Sequence, residues 1–162
     1  MNTFTSYYSS PIGTIKISAI DTGVTSVLFV EEAIKPAMSN NHSEECKKQL
    51  EEYFIGERKD FNIACQFLGT AFQKEIWSAL KTIPFGEKIS YVEMGKKVNS
   101  PNASRAVGNA NSKNVILIVL HCHRVIGENG DLTGYAGGMW RKKWLLEHEG
   151  KFSGAPTQLS MF

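Results

Sequence analysis

The run His121-Cys122-His123-Arg124 sets a thiol, two imidazoles and a guanidinium in four consecutive positions. A free thiol has a pKa of about 8.5, so only a few per cent is thiolate at neutral pH, and a nucleophilic cysteine needs a base or a nearby positive charge. His123 and Arg124 are adjacent in sequence, and Glu149 further along could orient a histidine. Three readings compete: a structural buried thiol, a metal site built from His121, Cys122 and His123, and a reactive thiol. Zinc needs four ligands converging on one point. On a continuing strand His121 and His123 face one way and Cys122 the other, and no second Cys or His pair lies nearby. The expectation is therefore no metal and no cofactor. A reactive thiol ranks above a metal site, but spacing alone does not name its substrate. Nothing suggests the oxyanion site or peptide groove of a Cys–His protease.

The elements that must carry this cluster can be read outward from it. Val115–Leu120 is a continuous apolar run, predicted as a buried strand that delivers the thiol at its end. Behind the cluster comes a loop rich in glycine, with Gly127, Gly130, Gly134, Gly137 and Gly138. A last helix is predicted from Met139 to Glu149, closed by Gly150, with Trp140 and Trp144 as core or inter-helix contacts. Upstream, Thr70 can cap a helix whose apolar face is Phe72, Ile76, Leu80 and Ile83, stopped by Pro84-Phe85-Gly86. Ser90 and Glu93 match a capping box opening a short helix to about Val98. Asn99-Ser100-Pro101 reads as a turn, with Pro101 suited to the first position of the next helix. On that helix Ala103, Ala106, Val107 and Ala110 form a predicted buried stripe, leaving Ser104, Arg105, Gly108 and Asn109 on other faces. Two short helices joined by a tight turn are a helix-turn-helix candidate whose small residues allow close approach to a nucleic acid; a plain helical hairpin is the commoner outcome.

The first half reads as a small sheet with one helix. Strands are predicted at Thr14–Ala19 and Val24–Val30, then a loop to Asn41 and a helix capped by Ser43. Cys46, Leu50, Tyr53 and Phe54 follow helical spacing, and Gly56 ends the helix. Phe61, Ile63, Cys65 and Phe67 alternate as on a half-buried strand, so Cys46 and Cys65 read as core thiols. The boundary falls at Gly69-Thr70, giving domains at 1–68 and 69–150 and a Gly-, Ser- and Pro-rich tail at 151–162, expected to be flexible. Residues 1–69 carry 6 Lys and Arg against 9 Asp and Glu, while residues 70–162 carry 12 against 7. That asymmetry fits a C-terminal part that meets a polyanion, or ordinary surface charge. Three sparse cysteines do not form a disulfide framework, no run approaches the length of a membrane span, and the N-terminus lacks signal-peptide features. A cytoplasmic monomer away from membranes is expected.

Seven blocks together are specific. They are Phe72-Gln73 with Ile76-Trp77; Ile83-Pro84-Phe85-Gly86; Ser90-Tyr91; Ala103-Ser104-Arg105-Ala106-Val107-Gly108; Cys122-His123-Arg124-Val125; Gly134-Tyr135-Ala136-Gly137-Gly138; and Trp144-Leu145-Leu146-Glu147-His148-Glu149-Gly150. In order and spacing they resemble the methylated-DNA–protein-cysteine methyltransferases (O6-alkylguanine-DNA alkyltransferases). The resemblance implies an α/β N-terminal domain of ribonuclease-H-like type, a small sheet plus a helix, followed by a mostly helical, winged-helix-like DNA-binding domain. It implies direct-reversal repair of double-stranded DNA, moving the alkyl group of O6-methylguanine, and of O4-methylthymine, irreversibly onto Cys122 after base flipping. By the same resemblance His123 takes the thiol proton through a water, Glu149 holds its tautomer, Asn114 fixes the thiol's turn and Tyr91 helps the base leave. Arg105 would fill the gap left by the extruded nucleotide. Ala103, Ser104, Ala106, Gly108 and Arg124 would meet DNA, and Val125, Tyr135, Ala136 and Gly137 would line the base pocket with Tyr91.

The chain departs from the family at two points. His121 stands where the family usually has Pro before the reactive Cys, and Val115 stands where it usually has Pro after the Asn. The alternative function is a non-catalytic lesion sensor, a cousin class in which Trp replaces the Cys. A third class is a transcription factor using the helix-turn-helix. The ending Gln158-Leu159-Ser160-Met161-Phe162 resembles the short peptide by which bacterial replication and repair proteins dock on the sliding clamp, although a short apolar ending also arises by chance.

Overall fold

The computed structural model describes residues 2–130, 132 and 134–153. The 158–162 ending and most of the predicted tail lie outside the described residues. The chain divides into two compact units, Met1–Leu68 and Gly69–Phe162.

In the first unit β1 (Phe4–Ser10), β2 (Gly13–Ile20) and β3 (Gly23–Phe29) form an antiparallel meander in chain order. Alternation along β2 turns Ile15, Ile17 and Ala19 into the core, where they are fully buried. Helix α1 (Asn41–Phe54) buries Cys46, Leu50 and Tyr53 in the same core. Its cap is Asn40, whose side chain accepts from the Ser43 N–H while the Ser43 hydroxyl accepts from the Asn40 N–H. Ser43 is thus the third helical residue and not the cap. The segment predicted as a strand through Phe61–Phe67 makes only a single parallel bridge, Val24 to Cys65. Cys65 is half-buried there, whereas Cys46 is fully buried. A side chain at Gly23 would stand 2.7 Å from the Ala64 carbonyl oxygen, so glycine is what lets these two backbones approach. β1 was not anticipated from its sequence.

In the second unit α2 (Ala71–Leu80) opens with a Thr70–Gln73 capping box. β4 (Ile89–Ser90) runs into α3 (Tyr91–Lys97), opened by the Ser90–Glu93 box. Asn99, at φ 58°, turns the chain toward α4 (Ser104–Ser112). Gly95 makes that turn tight, because a Cβ there would lie 2.7 Å from the Ser100 carbonyl oxygen. Two expectations for α4 need correction. Pro101 sits in the turn outside the helix, and Ala103 is the cap, without a side-chain bond. The buried stripe is Val107, Ala110 and Asn111, with Ala103 half-buried and Ala106 exposed. The Trp77 indole N–H donates to the Ala110 carbonyl at 2.9 Å, tying α2 to α4.

The run from Val115 to Leu120 is not a strand. Val115 is exposed, Leu117 and Leu120 form a local bridge, and Ile118 takes φ 71°. The chain then enters a 3-10 turn (Cys122–Arg124) and β5 (Val125–Ile126), which pairs in parallel with β4. α5 (Met139–Phe152) continues through Gly150, three residues past the predicted end. Trp140 is 57% exposed, contrary to a core role, while Trp144 is half-buried and stacks on His148.

Candidate active site

Cys122 is 2% exposed and is held by a turn built on Asn114. The Asn114 Oδ1 accepts from the Ile116 N–H at 2.9 Å. Its Nδ2 donates both to the Ile116 carbonyl and to Cys122 Sγ, each at 3.2 Å. The Cys122 carbonyl accepts from Asn111 Nδ2 on α4 at 3.3 Å. Burial pushes the thiol pKa up to about 11, against the opposing pull of the Asn114 hydrogen bond and the Lys142 charge. The resting group is therefore S–H at neutral pH.

Lys142 was missed from the sequence. Its ammonium is buried and donates to the Val125 carbonyl at 2.7 Å. Burial brings its pKa down to about 8, with the thiol's own charge resisting. The signal was present in the spacing. Lys142, Leu145, Leu146 and Glu149 recur at i, i+3, i+4 and i+7, and all four lie on the buried face of α5.

Glu149 collects the donors. It accepts from His123 Nε2 at 2.6 Å, from Arg124 Nε at 2.7 Å and NH2 at 3.0 Å, and from the Gly86 N–H at 3.3 Å. Burial would raise the Glu149 carboxyl, but the charges and hydrogen bonds around it hold it well below the usual range. Burial also keeps His123 below the ordinary imidazole value despite Glu149, so the ring is neutral at pH 7. The positive charge balancing Glu149 is then that of Arg124. A carboxylate at Nε2 fixes the imidazole proton there and leaves Nδ1 as a lone-pair acceptor, and His123 Nδ1 is buried without a partner. The other buried side-chain atoms without partners among the described residues are Asn111 Oδ1 and the Tyr135 hydroxyl. All three belong to residues around the thiol.

Arg124, expected to meet DNA, is buried in this structure as an ion-pair partner. It is 1% exposed, with NH1 donating to the Ile83 carbonyl at 2.5 Å in addition to its Glu149 bonds. Its positive charge is spent on a buried carboxylate 25 residues away in sequence. The remaining expected groups fall into two sets. Val125, Tyr135 and Gly137 are buried beside the thiol region, and Ala136 is exposed. The second set opens on a cleft of about 650 Å3 whose walls include Tyr91, Ser104, Arg105, Gly108, Asn109, Glu128 and Gly134. Neither Ala103 nor Ala106 lines it. A Cβ on Gly134, at φ 73°, would lie 3.4 Å from the Tyr91 hydroxyl, and one on Gly108 would touch the Tyr91 ring at 3.7 Å. The two glycines thus bracket Tyr91 on the cleft wall. Among the described residues no three His, Cys, Asp or Glu side chains group as a metal site would.

A buried thiol, an imidazole–carboxylate pair and a two-helix groove wall on one unit define a domain with a thiol-centred site beside a helical groove. Comparison with known proteins makes this specific. Residues 71–151 match the family model of the 6-O-methylguanine DNA methyltransferase DNA binding domain, and residues 3–67 match its ribonuclease-like domain. A methylated-DNA–protein-cysteine methyltransferase of Methanosarcina acetivorans is 45% identical over 88% of this chain and 96% of its own. The constitutive one of Bacillus subtilis is 41% identical over 86% and 92%. The crystal structure of the Mycobacterium tuberculosis O6-methylguanine methyltransferase matches with a TM-score of 0.83 at 38% identity, covering 99% of both chains. A structure of that organism's protein in complex with DNA matches at 0.80 and 40% identity, covering 96% of this chain and 97% of the other. The chain belongs to the methylated-DNA–protein-cysteine methyltransferase family. No helix among the described residues is long and apolar enough to cross a membrane.

Proposed function

We propose that this protein repairs alkylated double-stranded DNA by direct reversal, transferring the methyl group of O6-methylguanine, and secondarily of O4-methylthymine, to Cys122 Sγ. The observation that carries the reading is a buried thiol with an amide donor on its sulfur, an ammonium nearby, and a neutral imidazole whose unshared Nδ1 can receive a proton. Cys122 is too deeply buried for a stacked base to reach, which supports extrusion of the nucleotide into the pocket. Arg105, exposed on the cleft wall, fills the vacated space.

In the reaction the S–H proton passes by way of a water to His123 Nδ1, and Glu149 stabilises the resulting imidazolium. The sulfur lone pair forms the S–CH3 bond as the C–O6 bond breaks, the guanine leaves as an anion hydrogen-bonded by Tyr91, and it takes a proton from water, balancing the one the thiol released. The product is a thioether that water does not hydrolyse under mild conditions, so each molecule acts once. We read the acting species as a cytoplasmic monomer. The ending at 158–162 docks it on a bacterial sliding clamp; a pull-down in which removing those five residues leaves clamp binding unchanged removes that part.

The test is intact mass after mixing with one equivalent of duplex DNA containing O6-methylguanine. One methyl on the wild type, absent in Cys122→Ala and with undamaged DNA, is the expected result. Tight lesion binding without mass change would replace repair by the sensor function.

A further inference from the structure

His121, immediately before the thiol, is buried in this structure and makes a defined hydrogen bond. The turn before the thiol contains Ile118 at φ 71°, in the left-handed region. A β-branched residue is strained there and persists only when its surroundings hold it. One restraint is Asn114, four residues before Ile118, bonded to both backbone groups of Ile116. The other is His121. Its ring nitrogen Nδ1 lies 3.0 Å from the carbonyl oxygen of Ile118 itself. A carbonyl can only accept, so the proton is on Nδ1 and the imidazole donates. The ring is 5% exposed, and its backbone φ of −86° places it as the cap of the 3-10 turn that begins at Cys122. The Cys122 and Arg124 N–H groups close the same turn onto the Leu120 and His121 carbonyls, both at 2.9 Å.

We propose that His121 is a positioning residue for methyl transfer. As an Nδ1-protonated imidazole it ties the carbonyl of the strained Ile118 to the residue preceding the nucleophile, fixing Cys122 Sγ on its line of attack. A side-chain hydrogen bond here performs the stiffening that a proline ring would supply through φ. Burial and the charges of Arg124 and His123 keep the ring neutral to about pH 3, with the Ile118 bond and Glu149 resisting, so the donor persists through the working pH range. His121 itself exchanges no proton in the reaction.

The inference rests on the alkyl-transfer reading, and two measurements separate them. The first is the single-turnover transfer rate at saturating O6-methylguanine duplex, with DNA affinity measured apart, for wild type, His121→Phe and His121→Asn. Phe keeps the ring and loses the donor; Asn carries an amide donor at the δ position. Misplacing a reacting atom by about 1 Å can cost on the order of a hundredfold in rate. The expected result is a transfer rate roughly ten- to a hundredfold lower in His121→Phe at unchanged affinity, recovery in His121→Asn, and the same acid limb of rate against pH in all three. A wild-type rate in His121→Phe, no recovery in His121→Asn, or an acid limb that moves in His121→Asn overturns the proposal, the last by making His121 a proton carrier. The second measurement is the ring tautomer from long-range 1H–15N NMR on free protein. An Nε2-protonated His121 overturns the proposal whether or not methyl is transferred, and a wild type that transfers none sinks the alkyl-transfer reading and the inference together.

Discussion

Replacing Glu149 by Gln tests the core of the site through stability alone. The side chain keeps its shape but loses its charge, and one of its two oxygens becomes a donor. That donor must face either His123 Nε2–H or the Arg124 guanidinium, both of which now point at it from 2.6–3.0 Å. Arg124, 1% exposed, is left as a buried charge with only neutral partners. Breaking a buried ion pair on one side costs about 3–5 kcal/mol. A unit of this size has roughly 5–14 kcal/mol in total, so the loss is a large share, a Tm fall of roughly 15–30 °C. Urea unfolding reports it directly, because Trp77, Trp140 and Trp144 all lie in the second unit. The sign of the pH dependence follows. A carboxyl held below its ordinary value in the folded state contributes stability above its unfolded pKa of 4.5 and loses it as pH falls below that. Wild type should therefore weaken steadily below pH 4.5 by a component that Glu149→Gln lacks. Adding Arg124→Met should return part of the loss, since removing both charges leaves neither unpaired. A Glu149→Gln protein within about 1 kcal/mol of wild type, with the same acid limb, would refute the assignment of Arg124 as its counter-charge.

Two other substitutions probe the thiol and the groove. Lys142→Met removes the charge that favours the thiolate and leaves the Val125 carbonyl without its donor, so methyl transfer should slow at neutral pH. In wild type the gain in rate with pH should flatten near pH 8, where Lys142 loses its proton, and that break should be absent in the variant when single-turnover rates are followed from pH 6 to 10. Gly95→Ala places a methyl group 2.7 Å from the Ser100 carbonyl oxygen, so α3 and α4 must shift apart. A loss of about 1–3 kcal/mol is expected, with weaker binding to undamaged duplex; unchanged melting would mean that the turn has slack.

How much could be read beforehand depended on the range of the interaction. The Thr70 cap and the Ser90–Glu93 capping box are local and were legible as written, while the Gln73 half of the Thr70 box was not read. The same motif at Asn40–Ser43 was read one turn late, because either residue of that pair can serve as a cap. Val115–Leu120 was misread since a continuous apolar run states only that a segment is buried; the Asn114 bonds and the φ of Ile118 that make it a turn leave no periodic signal. β1 is rich in Ser, Thr and Tyr, and its strand character comes from pairing with β2 in full register, a tertiary effect. Arg124 shows the limit most clearly. A lone arginine beside a thiol reads as a surface cation until the carboxylate that buries it is known to be on α5.

The arrangement around Cys122 also bears on why the resting thiol is held high at about 11. On the proposed single-turnover reading, the protein gains from a nucleophile that is unreactive until its substrate arrives, since a thiolate exposed at pH 7 would react with any passing electrophile. Burial supplies that protection by disfavouring the anion. The same burial sets the terms of release, because in a low-dielectric site the Asn114 donor and the Lys142 ammonium act on the sulfur with little screening. They stabilise the developing negative charge most where water is absent, which is the state an extruded base would complete by closing the pocket. On the same reading the lone pair on His123 Nδ1 gives the proton a destination, and the Arg124-balanced carboxylate behind it keeps that destination in one tautomer. Protection and activation are then one electrostatic device, and the variant that separates them is Lys142→Met: it should leave the thiol as sheltered as before while slowing its transfer.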